Sequence, residues 1–151
     1  MDKSLSLSAN TDGLLRFRDD AAHEEPAVSL DAFLDQDQAS AVRIEAGEDA
    51  RHLIPHLSRV QLVEIDFPRF RDGRGYSSAK ILREAGYTGE IRAAGDVLVD
   101  QMLFMRRCGF DSFAPDAAID PEALDRAFAR YEYFYQPAAD AQVPVWKLRH
   151  G

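Results

Sequence analysis

The chain has 151 residues, 46% hydrophobic and 29% charged, enough for one domain that buries about 70% of the surface its unfolded form exposes. A net charge of -8 and a pI near 4.9 argue against nucleic-acid or anionic-membrane partners. A single cysteine, Cys108, leaves no intramolecular disulfide, redox dithiol or cysteine-held iron–sulfur cluster, and no apolar run nears the ~20 residues of a membrane span.

In chain order, residues 1–40 are expected to form a polar, partly mobile N-terminal segment. The opening "MDKSLSLSANTDG" lacks the apolar stretch of a secretory signal, so the expected compartment is the cytoplasm. "LLRFR" (14–18) reads as a short strand, and Ser29 as the N-cap of a short helix over "LDAFL".

Residues 41–135 are expected to form the core domain. "AVRIEA" (41–46) reads as a strand and "EDARHLIPHL" (48–57) as a helix strained by Pro55. "VQLVEIDF" (60–67) is the clearest strand, rich in β-branched and aromatic residues. "YSSAKILREA" (76–85) reads as a helix stopped by Gly86, and "EIRAA" (90–94) as a strand closed by Gly95. "DVLVDQMLFMRRC" (96–108) reads as a helix capped by Asp96 and ended by Gly109. It is apolar around most of its circumference, which calls for full burial or a subunit interface. "FDSFA" (110–114) is a further strand. "DPEALDRAFARYEYF" (120–134) is a helix with Asp120 as N-cap and Pro121 at its first position. Residues 136–151 are expected as a tail docking on the core or on a partner, with Tyr131, Tyr133, Phe134, Tyr135 and Trp146 dense around it.

Four strand–helix units at short spacing imply a small single-domain α/β fold with a parallel sheet, either open or half-barrel-like. Open edges would favour a homodimer. In both arrangements functional loops gather at the C-terminal ends of the strands.

One stretch there stands out: "DFPRFRDGRGYSSAK" (66–80). Residues 69–107 hold eight basic and five acidic residues, a net +3, while the rest of the chain carries -11. Gly73 and Gly75 bracket Arg74, which allows a sharp turn and close approach to a ligand. The loop opens a helix, whose free N–H groups and positive dipole end suit an anion. With Ser77 as N-cap, Lys80 falls at the third helical position, where a capping box would carry Glu. The anion-binding candidates are Arg69, Arg71, Gly73, Arg74, Gly75, Ser77, Ser78 and Lys80, with Asp72, Arg92 and Asp96 in support. Sulfite, sulfate, phosphate and a phosphorylated cofactor all suit such a loop. Two other readings compete: the arginines pair with Asp66 or Asp72 and pin the loop, or the loop is a partner surface. Glu64 and Asp66 share a strand face at its C-terminal end, where a half-barrel enzyme would place a general base. His52 and His56 have i,i+4 spacing but Pro55 between them and no third ligand, so no metal is expected. Cys108 beside Arg107 reads as a structural thiol.

The segment 67–113, with "DGRGYS", "GDV", "DQ" and "RCGFD", resembles the signature of a bacterial family, domain-of-unknown-function family 934. Its members are commonly labelled as oxidoreductases involved in sulfite reduction. That resemblance implies an accessory or subunit-like factor in assimilatory sulfite reduction, with sulfite reductase as a partner. The residues themselves identify no cofactor. An oxidoreductase role would need a bound flavin or an electron-carrying partner.

Overall fold

The computed structural model describes residues 8–9, 14–68 and 74–134. The expected docking of the 136–151 tail lies outside these residues. The strands are β1 (Ser8–Ala9), β2 (Leu15–Arg16), β3 (Val28–Ser29), β4 (Ala41–Ile44), β5 (Leu62–Phe67), β6 (Glu90–Gly95) and β7 (Ser112–Pro115). They form one sheet in the order β1-β2-β7-β6-β5-β4-β3. From β3 to β7 neighbours pair in parallel, while β1 and β2 add antiparallel at the β7 edge. Residues 14–40 therefore contribute strands to both sides of the 41–115 sheet. The fold is the expected small α/β domain with an open, mostly parallel sheet.

Parallel neighbours that are also consecutive in the chain need crossovers of one hand, which set the helices on one face. The helices are α1 (Leu30–Leu34), α2 (Arg74–Glu84), α3 (Val99–Cys108) and α4 (Pro121–Phe134), with a 3-10 helix over Ala50–Arg59. Period-2 alternation sorts the strand residues. Val42, Ile44, Val63, Ile65, Phe67, Ile91, Ala93 and Phe113 join one core with Phe33, Leu53, Ala79, Leu82, Met102, Met105 and Leu124 from the helices. Arg43, Glu64, Asp66, Glu90, Arg92 and Ser112 alternate with them and take the opposite face. The row Arg43, Glu64, Arg92, Ser112, Arg16 is in register across five strands.

Several expected boundaries move. Ser29 does cap α1, its Oγ accepting from the Ala32 N–H at 3.1 Å. The segment expected as an α-helix around Pro55 is a 3-10 helix capped by Asp49. Proline removes a donor and crowds the preceding turn. Helix α2 begins at Arg74, not beyond a Ser77 cap. Gly75 is helical and buried, and a Cβ there would lie 2.4 Å from Cζ of Phe67. Its missing side chain serves helix–strand contact, not the sharp turn expected of it. Helix α3 begins at Val99, with Leu98 at the N-cap and no side-chain cap bond, so Asp96 does not cap it. Asp96 belongs to the turn leaving β6, and its N–H donates to the Phe67 carbonyl at 2.7 Å. Gly109 ends α3 at φ 118 in the left-handed region, as the sequence requires. Helix α3 is not fully buried. Met102 and Met105 are in the core, while Phe104 is 55% exposed.

Candidate functional site

The C-terminal ends of β4, β5, β6 and β7 form a rim. β5 is the middle of the five parallel strands, and its alternation carries Glu64 and Asp66 onto the face opposite the described helices. Sequence reading missed the residue that organises them. Arg43 on β4 donates from Nη1 to Glu64 Oε1 (2.7 Å), from Nη2 to Asp66 Oδ1 (2.9 Å) and from Nε to Glu45 Oε2 (2.9 Å). The signal was an arginine breaking the apolar strand "AVRI", at the alternation that puts it beside Glu64. Burial pushes the Asp66 carboxyl up from the usual range. Arg43 opposes that, and Glu45, Asp116 and Glu64 add to it.

The loops of the rim are tied through backbone. Gly95 has φ 100, and a Cβ there would meet the Phe67 carbonyl oxygen at 2.6 Å and Asp66 Oδ1 at 3.1 Å. The strand exits of β5 and β6 therefore come together only over a glycine. The Asp116 N–H closes the next exit onto the Gly95 carbonyl at 2.8 Å.

Helix α2 starts from this rim. Arg74 is exposed at its first position, and the place a Cβ would take on Gly47 is 3.2 Å from Arg74 Nη1. The guanidinium therefore lies over the turn that leaves β4. Below it, Tyr76 stands edge-on to Phe67 at 5.5 Å between ring centroids and contacts Phe104 at 5.3 Å. Its hydroxyl donates to Gln101 Oε1 at 3.2 Å. Burial, then the Cys108 charge, push the Tyr76 hydroxyl up. This aromatic group anchors the first turn of α2 to α3.

The expected site residues separate. Arg74 and Gly75 are at the rim, with Asp66 and Asp96 at the neighbouring strand exits. Ser77 is exposed and Ser78 buried within α2. Lys80 sits six residues along the helix, about 9 Å of rise from Arg74, and is not the third helical residue. Its charge reaches Cys108, whose thiol is nonetheless pushed up by burial against the pull of Arg107 and Lys80. Arg92 is on β6. Its guanidinium donates to Glu90 Oε2 (3.0 Å) and Ser112 Oγ (3.2 Å) further down the sheet. Arg69, Arg71, Asp72 and Gly73 lie outside the described residues. Among the described residues, no three His, Cys, Asp or Glu side chains are grouped to hold a metal, and no helix is long and apolar enough to cross a membrane.

The opposite end of the sheet holds a different arrangement. A cavity of about 940 Å³ lies at the strand entries, between residues 16–25 and the segments 57–61 and 86–90. Its floor is a closed ionic network. Arg16 donates from Nε and Nη2 to Glu90 Oε1 at 3.0 and 2.8 Å, and Ser112 Oγ donates to Glu90 Oε2 at 2.6 Å. Arg16 and Glu90 are only 5% and 3% exposed. Burial would push Glu90 up, but Arg16, Ser112 and Arg92 together hold it below its ordinary value. Asp111 is a second hub. Its Oδ2 accepts from Arg83 Nη2 (2.6 Å), Arg18 Nη1 (3.1 Å) and the Ile91 N–H (3.2 Å).

No curated protein and no solved structure matches the chain significantly. A family model does, over residues 41–146, described as a bacterial protein of unknown function. The match spans β4 to α4 and includes the whole rim. The chain belongs to this bacterial family, DUF934.

Proposed function

We propose that the protein is an accessory factor in assimilatory sulfite reduction, binding a small oxyanion or an acidic partner surface at the rim through the 69–80 loop and the start of α2. The observation that supports this most is the placement of Arg74. It is exposed at the first position of α2, directly beyond the central strand, and the packing of Gly75 on Phe67 fixes that start. A cation at a helix N-terminus is unfavourable by a few tenths of a kcal/mol unless an anion offsets it. The sulfite assignment follows the label common to the resembling family. Sulfite reductase is the proposed partner.

A second reading makes the protein an independent enzyme with Asp66 or Glu64 as general base and the arginines as an anion clamp. One feature favours it: burial raises the Asp66 carboxyl above its ordinary value. The Arg43 ion pairs weigh against it.

Thermal-shift titration with sulfite, sulfate and phosphate tests the binding reading. At 100-fold over its dissociation constant an anion adds about 2.7 kcal/mol. The expected result is a shift that Arg74→Ala removes. No shift for any anion, or an equal shift in the variant, overturns it. Co-purification of sulfite reductase with the wild type tests the partner.

A further inference from the structure

We infer that the β7 edge is a docking slot for an extended strand of the pattern apolar–Arg–aromatic–Arg, filled in cis by β2 and open in trans to the β2 strand of a second copy of this chain. The slot is separate from the rim and does not depend on the oxyanion reading.

Four consecutive residues are read one by one. Leu15 pairs with Phe113 and Arg16 with Ser112 in antiparallel register. Leu15 enters the core on the helical face. Arg16 turns to the other face and reaches the buried carboxylate of Glu90. Phe17 donates its N–H to the Asp111 carbonyl at 2.8 Å and sets its ring edge-on to Phe113 at 5.9 Å. The Arg106 guanidinium lies 4.8 Å from the centre of the Phe17 ring. Arg18 reaches Asp111 Oδ2 and the Thr88 carbonyl. The side of the slot supplied by 88–113 thus offers an apolar pocket, a buried carboxylate, an aromatic face and a second carboxylate in strand order. Backbone donors and acceptors set direction, and alternate side chains set specificity.

The occupying strand is tied to the rest of the chain by an exposed connection. Residues 19–26 cross to the far edge of the sheet, where β3 pairs with β4. His23 ties the crossing midway, its Nδ1 at 3.2 Å from Gln61 Oε1 and its Nε2 at 3.4 Å from Ser40 Oγ. If this connection opens, a second copy's β2 repeats each contact between molecules. The balance then depends on concentration and the connection, not on the strength of the contacts. For a short connection that has opened in this way the crossover is on the order of millimolar.

Complementation between two full-length variants tests this. Arg16→Ala keeps the Glu90 floor and lacks the arginine; Glu90→Gln keeps the arginine and lacks the carboxylate. Light scattering at about 0.1 mM, well below the millimolar crossover, is expected to find each alone monomeric and the equimolar mixture dimeric. A monomeric mixture of folded variants overturns the inference. Where either variant fails to fold, the peptide of residues 12–20 is added to Arg16→Lys. The expected result is a saturating rise in melting temperature with that peptide and none with a copy carrying Ala in place of Arg16. No rise, or an equal rise from both peptides, overturns it.

Discussion

The two ends of the sheet handle charge in opposite ways. At the strand entries Arg16, Arg83 and Arg92 are fixed by buried or half-buried acceptors, and Glu90 and Asp111 each accept from several donors. At the rim the carboxylates Glu45, Glu64 and Asp66 share the one guanidinium of Arg43, which is itself a third exposed. The entry end is built as a closed network, whose disruption leaves buried charge. The rim is more solvated, tied by backbone and glycine, and tolerant of side-chain change. Placing stability at one end and exchangeable chemistry at the other is the division seen in barrel folds. The cavity lies at the end built for stability.

Breaking the closed end should have the largest effect. Glu90→Ala leaves Arg16 and Arg92 facing a buried gap, and removing one partner of a buried pair costs about 3–5 kcal/mol. Urea unfolding should show this as a large fall in midpoint at neutral pH. Glu90 is held below its ordinary range in the folded state, so its stabilisation is present above the unfolded carboxylate pKa and fades as pH falls through the folded value. The gap between wild type and variant should therefore narrow in acid.

Gly75→Ala comes next. The added methyl meets the buried Phe67 ring, and overpacking of this kind costs about 1–3 kcal/mol. It should also weaken rim binding, because it displaces the start of α2. If the Gly75→Ala chain matches wild type in both stability and anion response, the anchoring of α2 by this contact is wrong.

Smaller effects sharpen the contrast. Asp20 is held at about 2 by Arg18, against the opposing effect of burial, with Arg16 adding to the lowering. Its stabilisation is complete above the ordinary carboxylate range and is lost as pH falls through about 2. Asp20 is largely exposed, so Asp20→Asn should lower neutral stability by less than about 1 kcal/mol and flatten the acid limb slightly. Arg43→Gln should change neutral stability by about 1 kcal/mol at most, because the pair is solvated. It removes the cation that opposes the upward shift of Asp66. A carboxyl already raised by burial disfavours folding once ionised, so the Arg43→Gln loss should grow above the folded Asp66 pKa and vanish below the unfolded one. A carbon-13 titration of the Asp66 carboxyl should show a further upward move.

Most of the sheet was legible in the sequence, because short apolar, alternating runs between helical segments leave little choice of period. The rim was legible in position but not in detail. Ser77 and Asp96 are good caps by type, yet α2 already runs from Arg74 through Ser77 under Phe67, and α3 starts only at Val99, after Leu98, without a side-chain cap. Tertiary contact decided both. The motifs behind the family resemblance also proved partly architectural. Gly75 seats Phe67, Tyr76 bonds Gln101, and Asp111 ties Arg18, Arg83 and β6. The roles of Arg16 and Arg43 were not legible. Each is matched across the sheet with residues far away in the chain, a pairing that no local pattern encodes.

The most direct measurement is an amide NMR titration with sulfite, read at both ends of the sheet. The account predicts shifts for Gly47, Arg74, Gly75, Tyr76 and Asp96 at the rim. Arg16, Asp20, Gly86, Thr88 and Glu90 at the cavity should stay still. Shifts confined to the cavity residues, or none at either end, would contradict it.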